Sequence, residues 1–386
     1  MTTPAVCRCD HIYQSSFEIV TEDLARTAYT LSLSLGHGRY GVRCILHIGT
    51  EKTGSTSLQA ALSANREHLS ERGILYSEAA GSLNSRALAA AFCQYSSDDN
   101  YLARLGIGDV TQHNVWRTDL LDKVRKEVIT AQTSHDTFVI SSEHFSSRLV
   151  SEEQIASLKS FLLTLFTDID VACYLRRQDR MAASRHNEVL RAGFAEPILP
   201  NVQTSEGLPL LFDFDALLRR WSELAGQIAL KPRIFDKKAL LDGDVVDDFS
   251  KTFLHTRLPE RPQRQANVSL SKPAQDALHM FNTAMGPQNR QALSQARRKL
   301  SQYLEIHAPG RGRQPTVDKA REFYALFKQG NDLVARTYFK KDVLFPEDFD
   351  SEYPKIEDSK HHSGAHLLVQ YFEHLIEAPP ESLSPE

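Results

Sequence analysis

The chain has 386 residues, 41% of them hydrophobic and 24% charged, which is enough to bury a sizeable core in one large domain or in two. Its formal net charge of −4 provides no overall basic field, so we expect neither nucleic acid nor an anionic membrane surface as its main partner. No stretch approaches the roughly 18 apolar residues that a membrane span requires, and the N-terminus lacks a basic region followed by an apolar one. We therefore expect a cytoplasmic globular enzyme.

The first 42 residues have weak patterning, and we interpret 1–42 as a peripheral N-terminal extension. Within it, "TLSLSL" (30–35) alternates like an edge strand. From Cys44 the pattern sharpens, because "CILHIG" (44–49) is typical of a buried strand. Apolar residues at helical spacing then predict a helix over 55–72, which Gly73 ends.

Further apolar runs predict three more strands, and helical stretches separate them. The strands are expected at 137–142, 170–175 and 227–235, with helices such as 151–166 and 214–225. Strands that alternate with helices of this length predict an α/β fold in which helices cover both faces of a parallel sheet.

The C-terminal part of the sequence is mostly helical. From about residue 260 we expect a helical cap that belongs to the same domain, so that one domain spans 43–350. The remaining residues, 351–386, are predicted to form a polar tail with one amphipathic helix, "GAHLLVQYFEHLIEA". We expect its apolar stripe to pack on its own chain rather than on a partner.

A loop rich in glycine and hydroxyl residues follows the first strand, in "HIGTEKTGSTSLQ" (47–59). The strand ends at Gly49 and a helix begins near Ser55, so successive N–H groups can face an anion. A nucleoside triphosphatase would instead show G-x-x-x-x-G-K-S/T, with the lysine after the second glycine and a hydroxyl on magnesium. Here Lys52 lies inside the loop and Ser55 follows Gly54, and we find no strand-end aspartate suited to a metal. The sequence predicts a P-loop-type sheet with a phosphate site and no metal ion.

A second motif lies in "YLRRQDRMAASRHNEVLRAG" (174–193). A strand ends at Leu175, Arg176 follows it, and Ser184 comes eight residues later on a helix that Asp179 could cap. Because helical side chains tilt toward the N-terminus, Ser184 can point back to an anion that Arg176 also reaches.

These two motifs together resemble those of sulfotransferases that use 3′-phosphoadenosine 5′-phosphosulfate (PAPS). A strand followed by G-x-x-K-T-G-S/T-S/T is similar to the family's 5′-phosphosulfate loop, and Arg176 with Ser184 is similar to the pair that holds the donor's 3′-phosphate. The likeness to the bacterial branch covers about residues 44–345 and includes "SSEHFSSRL" and "NDLVARTYF". It implies a fold like that of P-loop-containing nucleoside triphosphate hydrolases, and PAPS as the donor substrate with no metal required.

The resemblance also implies roles for the loop residues. Lys52 would neutralise charge on the departing 5′-phosphate, and Thr53, Gly54, Ser55 and Thr56 would hold that phosphate. The acceptor would be a hydroxyl or an amine. A cell-surface polysaccharide, a glycolipid, a peptide and a small metabolite are all compatible with the sequence.

The acceptor also needs a catalytic base, and the family uses a glutamate or a histidine depending on the branch. We expect Glu143 to be the base and keep His144 as the second candidate. Relatives of this branch are expected to have a histidine after the asparagine that is Asn84 here, whereas this chain has Ser85. Glu78 is therefore a third candidate. Two other functions stay open, a P-loop kinase or nucleotide hydrolase and a non-catalytic nucleotide-binding homologue.

Overall fold

The computed structural model describes residues 41–97, 99–201, 210–222, 228–262, 269–356 and 363–377. The edge strand expected at 30–35 lies outside the described residues. A parallel sheet forms the centre of the described part, and its strands are β1 (Arg43–His47), β2 (Ile74–Tyr76), β3 (Thr137–Ser141), β4 (Asp168–Leu175) and β5 (Ile228–Ile234). Their order is β2-β3-β1-β4-β5, so β1 is central.

Helices flank this sheet and follow it along the chain. Those of the sheet region are α1 (Ser55–Ala64), α2 (Arg66–Ser70), α3 (Arg86–Phe92), α4 (Asn100–Arg104), α5 (Val110–Ala131), α6 (His144–Arg148), α7 (Glu152–Leu163), α8 (Gln178–Arg191), α9 (Phe214–Ser222) and α10 (Val245–Phe249). Those of the C-terminal cap are α11 (Lys272–Met285), α12 (Ser294–His307), α13 (Val317–Ala325), α14 (Lys328–Val334), α15 (Phe349–Glu352) and α16 (Ser363–Glu377). The predicted α/β fold with a helical cap is confirmed.

Both faces of the sheet are buried, and alternate residues of each strand point to opposite faces. On one face Leu46, Ile140 and Val171 pack against α5 and α7. On the other face Ile45 and Tyr174 pack against α1 and α10. Burial on both sides explains why β1, β3 and β4 read as nearly continuous apolar runs.

Two local features differ from the sequence prediction. The helix expected over 55–72 is split into α1 and α2, because Asn65 lies between them and its side chain donates to the Ala61 and Glu260 carbonyl oxygens at 2.7 and 2.9 Å. The sequence analysis also missed β2, whose three residues are too few to show a periodic pattern. Ile74 of β2 pairs with Thr137 of β3.

The cap has an apolar core of its own, made by α11, α12 and α16. Leu278, Leu300 and Tyr371 are buried in it. The apolar stripe predicted for α16 is divided, because Phe372 and Ile376 are 54% and 83% exposed. Within the described part of the chain, no helix has the length and apolar character needed to cross a lipid bilayer.

A buried arginine connects the start of α8 to the segment around α15 in the cap. The Arg177 side chain is fully buried and donates to both carboxylate oxygens of Asp179, to Asp348 at 2.6 Å and to Glu352 at 2.7 Å. Tyr353 is buried too, and its hydroxyl donates to Asp179 at 2.6 Å. Asp179 therefore binds these two side chains rather than capping α8, and so connects α8 to the segment that contains Tyr353.

Candidate functional site

The loop between β1 and α1 is shaped by two glycines with positive φ. Gly49 has φ of 94°, and a Cβ there would lie 2.9 Å from Cα of Glu143. Gly54 has φ of 78°, and a Cβ there would lie 2.8 Å from a methyl carbon of Val245. Any side chain at either position would be strained and would collide, so the backbone of the loop can approach its neighbours only because both residues are glycine.

The loop presents backbone N–H groups, and two of its hydroxyls are used inside the loop. The Thr50 N–H donates to the Tyr174 carbonyl at 3.0 Å, but the N–H groups of residues 51–56 have no acceptor among the described residues. The hydroxyls of Thr53 and Ser55 both donate to the Thr50 carbonyl, at 2.6 and 3.4 Å, and so stabilise the loop from inside. The free N–H groups at the N-terminus of α1 are the ones available to an anion.

Polar contacts hold this loop against the end of β4 and against α8. Lys52 Nζ is 2.8 Å from Glu188 Oε1, and Arg185 Nε is 3.3 Å from a carboxylate oxygen of Glu51. The Arg176 guanidinium donates to the Lys52 carbonyl at 2.8 Å. The loop and the helix that contains Ser184 are therefore directly connected.

A cleft of about 510 Å³ lies along the exposed side of α8, and both Arg176 and Ser184 line it. The structure thus brings together the two residues that the sequence singled out as a pair. Burial is the main cause that lowers the pKa of Arg176, followed by the charge of Arg180, but an arginine stays protonated at neutral pH. The cleft can therefore hold an anion.

The sequence analysis missed several residues of this cleft. Arg180 and Asn187 line it with Ser184, at spacings of four and three that place all three on one face of α8. Helical periodicity could have found them. Arg311 lines the same cleft from the cap, 124 positions beyond Asn187. It belongs to "PGRGRQP" (309–315), which the sequence leaves open as a basic loop over the donor or a glycine-rich surface linker.

Glu143 lies where β3 ends, directly before α6, and its carboxylate is held by a side chain from α1. Gln59 Nε2 donates to Glu143 Oε2 at 2.9 Å and lies 3.4 Å from Ser141 Oγ. Ser141 Oγ in turn is 2.8 Å from His47 Nδ1. Gln59 was missed by the sequence analysis, although it follows Ser55 by one helical turn on the buried side of α1.

Two histidines near Glu143 are held in the neutral form. Burial lowers the pKa of His47 to about 4, against the opposite effect of the Glu143 charge. Burial also lowers the pKa of His144, helped by Arg86 and Arg148 and opposed by Glu143. A neutral imidazole can accept a proton, so His144 is kept as the second candidate for the base, although its lowered pKa makes it a weaker proton acceptor.

Ser85 and Glu78, the two other residues considered in connection with the acceptor, have different surroundings. Ser85 is buried, its N–H donates to the Ser141 carbonyl at 2.8 Å, and its hydroxyl accepts from the Ser141 N–H at 3.1 Å. It therefore joins the loop before α3 to the end of β3. The Glu78 side chain is 68% exposed and lies 3.3 Å from Arg66. Across the described ranges, no group of three or more His, Cys, Asp or Glu side chains is arranged to hold a metal ion.

Comparisons with known proteins gave two similarities. No family model matches the chain. Over 209 residues, 52% of this chain, it is 26% identical to an uncharacterised protein of Archaeoglobus fulgidus, and it spans only 53% of that relative's length. Among solved structures, it is similar to a chain from the PezAT chromosomal toxin-antitoxin system of Streptococcus pneumoniae. That likeness has a TM-score of 0.28 and 11% identity, and it covers 75% of this chain and 96% of the other.

Proposed function

We propose that the protein is a PAPS-dependent sulfotransferase that moves a sulfuryl group to a hydroxyl or amine acceptor. One observation carries the proposal. Arg176 and Ser184 line one cleft, and Arg176 also contacts the glycine loop that contains Lys52. This arrangement offers two separate anion sites on one continuous surface, as a nucleotide with both a 5′ and a 3′ phosphate group requires.

The residues present fit such a donor. The N–H groups of residues 51–56, for which the described part of the chain supplies no acceptor, would bind the 5′-phosphate at the N-terminus of α1. Arg176 and Ser184 would bind the 3′-phosphate, whereas Arg180 in the same cleft is already paired with Asp236, Asp348 and Glu352. Of the described cysteines, Cys44 and Cys173 are buried free thiols, which supports our proposal of a cytoplasmic location.

Sulfuryl transfer resembles phosphoryl transfer, so positioning and electrostatics supply most of the acceleration. The acceptor oxygen or nitrogen forms a bond to sulfur while the bond from sulfur to the 5′-phosphate oxygen breaks. Lys52 would neutralise the charge that develops on that phosphate oxygen. Glu143 would take the acceptor's proton, and Gln59 would hold its carboxylate in position through the 2.9 Å hydrogen bond.

The proposal is tested by ligand-induced stabilisation without added metal. We expect 3′-phosphoadenosine 5′-phosphate (PAP) at 100 times its dissociation constant to add about 2.7 kcal/mol to the free energy of unfolding. We expect Arg176→Ala to weaken PAP binding about tenfold to a hundredfold, because it removes a charge-assisted contact. Arg298→Ala is the matched control, since Arg298 is an exposed arginine of α12 outside the cleft.

Two results would contradict the proposal. Greater stabilisation by ATP with magnesium than by PAP would favour a P-loop kinase or nucleotide hydrolase. PAP binding without any transfer from radiolabelled PAPS to components of cell extracts would favour a non-catalytic homologue. Where transfer is found, mass spectrometry of the labelled product identifies the acceptor.

A further inference from the structure

One wall of the cleft beside α8 is formed by residues 309–313, which we call the cap loop. Its backbone lies beside the segment that leads into α11. The Gly310 N–H donates to the Ser269 carbonyl at 2.8 Å, and the Ser271 N–H donates to the Ala308 carbonyl at 3.0 Å. The cap loop is therefore attached to the start of α11 on both sides.

Gln275, in the first turn of α11, connects the cap loop to α8. Its side chain is buried, with 2% of the residue exposed. Its Oε1 accepts the Arg313 N–H at 2.6 Å, and its Nε2 donates to Asn187 Oδ1 at 2.6 Å. Because a backbone N–H can only donate, the Arg313 contact fixes which end of the amide is the oxygen. One buried amide thus binds the cap loop at one end and α8 at the other.

Gly312 allows the cap loop to lie directly against this amide. A Cβ at position 312 would lie 2.2 Å from Gln275 Nε2, which is far inside the closest approach of two such atoms. The φ of Gly312 does not lie in the left-handed region, so alanine could adopt the same backbone conformation. The glycine is therefore required by the contact with Gln275 and not by the backbone.

The cap loop places one arginine on the cleft whose charge no carboxylate neutralises. Arg311 lines the cleft, and its guanidinium donates to two neutral oxygens, Gln314 Oε1 at 3.5 Å and the Glu352 carbonyl at 3.3 Å. It forms no ion pair within the part of the chain that the structure describes. Arg180 in the same cleft, by contrast, is paired with three carboxylates. The charge of Arg311 is therefore available to an anion.

We infer that Gln275 is a positioning residue for the donor, an inference that rests on the proposed function. By holding the cap loop against α8, it keeps Arg311 on the cleft that Arg176 and Ser184 also line. Both ends of the Gln275 amide are already bound to protein, so its effect on the ligand is exerted through Arg311. A charged contact is strong only when the residues behind it hold its geometry, and Gln275 supplies that support here.

The first test is the affinity for PAP of Gln275→Met, whose side chain has a similar length but makes neither hydrogen bond. We expect PAP binding to weaken about fivefold or more. Adenosine 5′-phosphosulfate lacks the 3′-phosphate, so its affinity should stay within about twofold of wild type. Gln295→Met is the matched control, since Gln295 is an exposed glutamine of α12 outside the cleft.

A double-mutant cycle with Arg311→Ala tests whether Gln275 acts through Arg311. We expect Arg311→Ala alone to weaken PAP binding about tenfold. If the two residues act together, adding Gln275→Met to Arg311→Ala should cause a further loss of less than about twofold. A purely structural defect would weaken PAP binding by the same factor in both backgrounds.

Gly312→Ala disturbs the same contact from the side of the cap loop and leaves Gln275 in place. Its methyl group would displace the amide, so we expect the same loss of PAP affinity and the same dependence on Arg311. Circular dichroism identifies which variants are folded, and this second variant keeps the test decisive if Gln275→Met does not fold.

Three results would overturn the inference: unchanged PAP affinity in the folded variants, an equal loss of affinity for adenosine 5′-phosphosulfate, and an undiminished effect of Gln275→Met in the Arg311→Ala background. Failure of the proposed function would look different, because PAP would then not bind to the wild-type protein. The same variants titrated with inorganic phosphate would in that case still show whether Gln275 acts on an anion through Arg311.

Discussion

Lys52 forms an ion pair with Glu188, and it must leave this partner in order to contact a phosphate group. Lys52 Nζ lies 2.8 Å from a carboxylate whose side chain is 48% exposed. An ion pair in such a solvated position stabilises the fold by at most about 1 kcal/mol. Lys52 can therefore leave Glu188 for a phosphate oxygen at little cost.

The candidate base is tested by substitution of Glu143 and His144 in turn. Glu143→Gln keeps the size of the side chain but cannot accept a proton at neutral pH. We expect single-turnover transfer to fall by roughly 100 to 10,000-fold while PAP affinity stays near wild type. His144→Ala is the paired comparison and should retain most of the transfer rate.

The opposite pattern would make His144 the base. Burial lowers the pKa of His144, so a reaction that depends on its neutral form would stay active below the usual histidine range. Normal transfer in both variants would move the search to Glu78, whose exposed side chain pairs with Arg66.

At the scale of the element, Arg177 connects the start of α8 to the segment around α15 in the cap. Its side chain is buried between Asp179, Asp348 and Glu352. Burying charges is costly unless they are paired with good geometry, and removal of one partner leaves the others uncompensated. The segment around α15 is therefore held in place by its charge partners as well as by packing.

We expect Arg177→Met to lower the free energy of unfolding by about 3 to 5 kcal/mol, because Asp179 is left buried without its guanidinium. Arg219→Ala is the control, since Arg219 is 63% exposed and pairs with Asp215 within one helix. That change should cost no more than about 0.5 kcal/mol. Urea denaturation measures both values, and equal losses in the two variants would show that the buried network contributes no special stability.

Elements with long apolar runs could be predicted from the sequence, whereas those set by tertiary contacts could not. β1, β3 and β4 were found because burial on both faces leaves a strong local signal, and β5, which has no fully buried side chain among residues 229–234, was found from its own apolar run. β2 was too short to show a hydrophobic periodicity. The break between α1 and α2 depends on a hydrogen bond from the Asn65 side chain to the carbonyl of residue 260.

The residues of the candidate site also divide into those with a local sequence signal and those set by tertiary contacts. Lys52, Arg176 and Ser184 were found because each stands at a fixed spacing from the end of a strand. Gln59 was missed because its role depends on a contact with Glu143, a residue far along the chain.

At the scale of the whole molecule, buried histidines make stability depend on pH. Burial lowers the pKa of His47 and of His186 from 6.5 to about 4. The unfolded chain therefore binds more protons than the folded chain between these values, so the free energy of unfolding is highest above pH 6.5 and falls as the pH falls toward 4.

We expect the free energy of unfolding to change by up to about 1.4 kcal/mol per pH unit for each buried histidine. His186→Gln should reduce the slope of the free energy of unfolding against pH by the contribution of about one proton, because the variant lacks this titrating group. His366→Gln, an exposed histidine of α16, should leave the slope as in wild type. Urea denaturation over this pH range gives the slopes, and an unchanged slope in His186→Gln would show that His186 is not held neutral by the fold.

The cleft beside α8 is assembled from distant parts of the chain, and this affects when it can form during synthesis. Arg176 and Ser184 leave the ribosome early, but Arg311 and Tyr353, which line the same cleft, leave it much later. A nascent chain that ends before residue 311 already contains every strand of the described sheet and the entire glycine loop. It nonetheless lacks one wall of the cleft, so recognition of the ligand there is postponed until residue 353 has also been synthesised and folded.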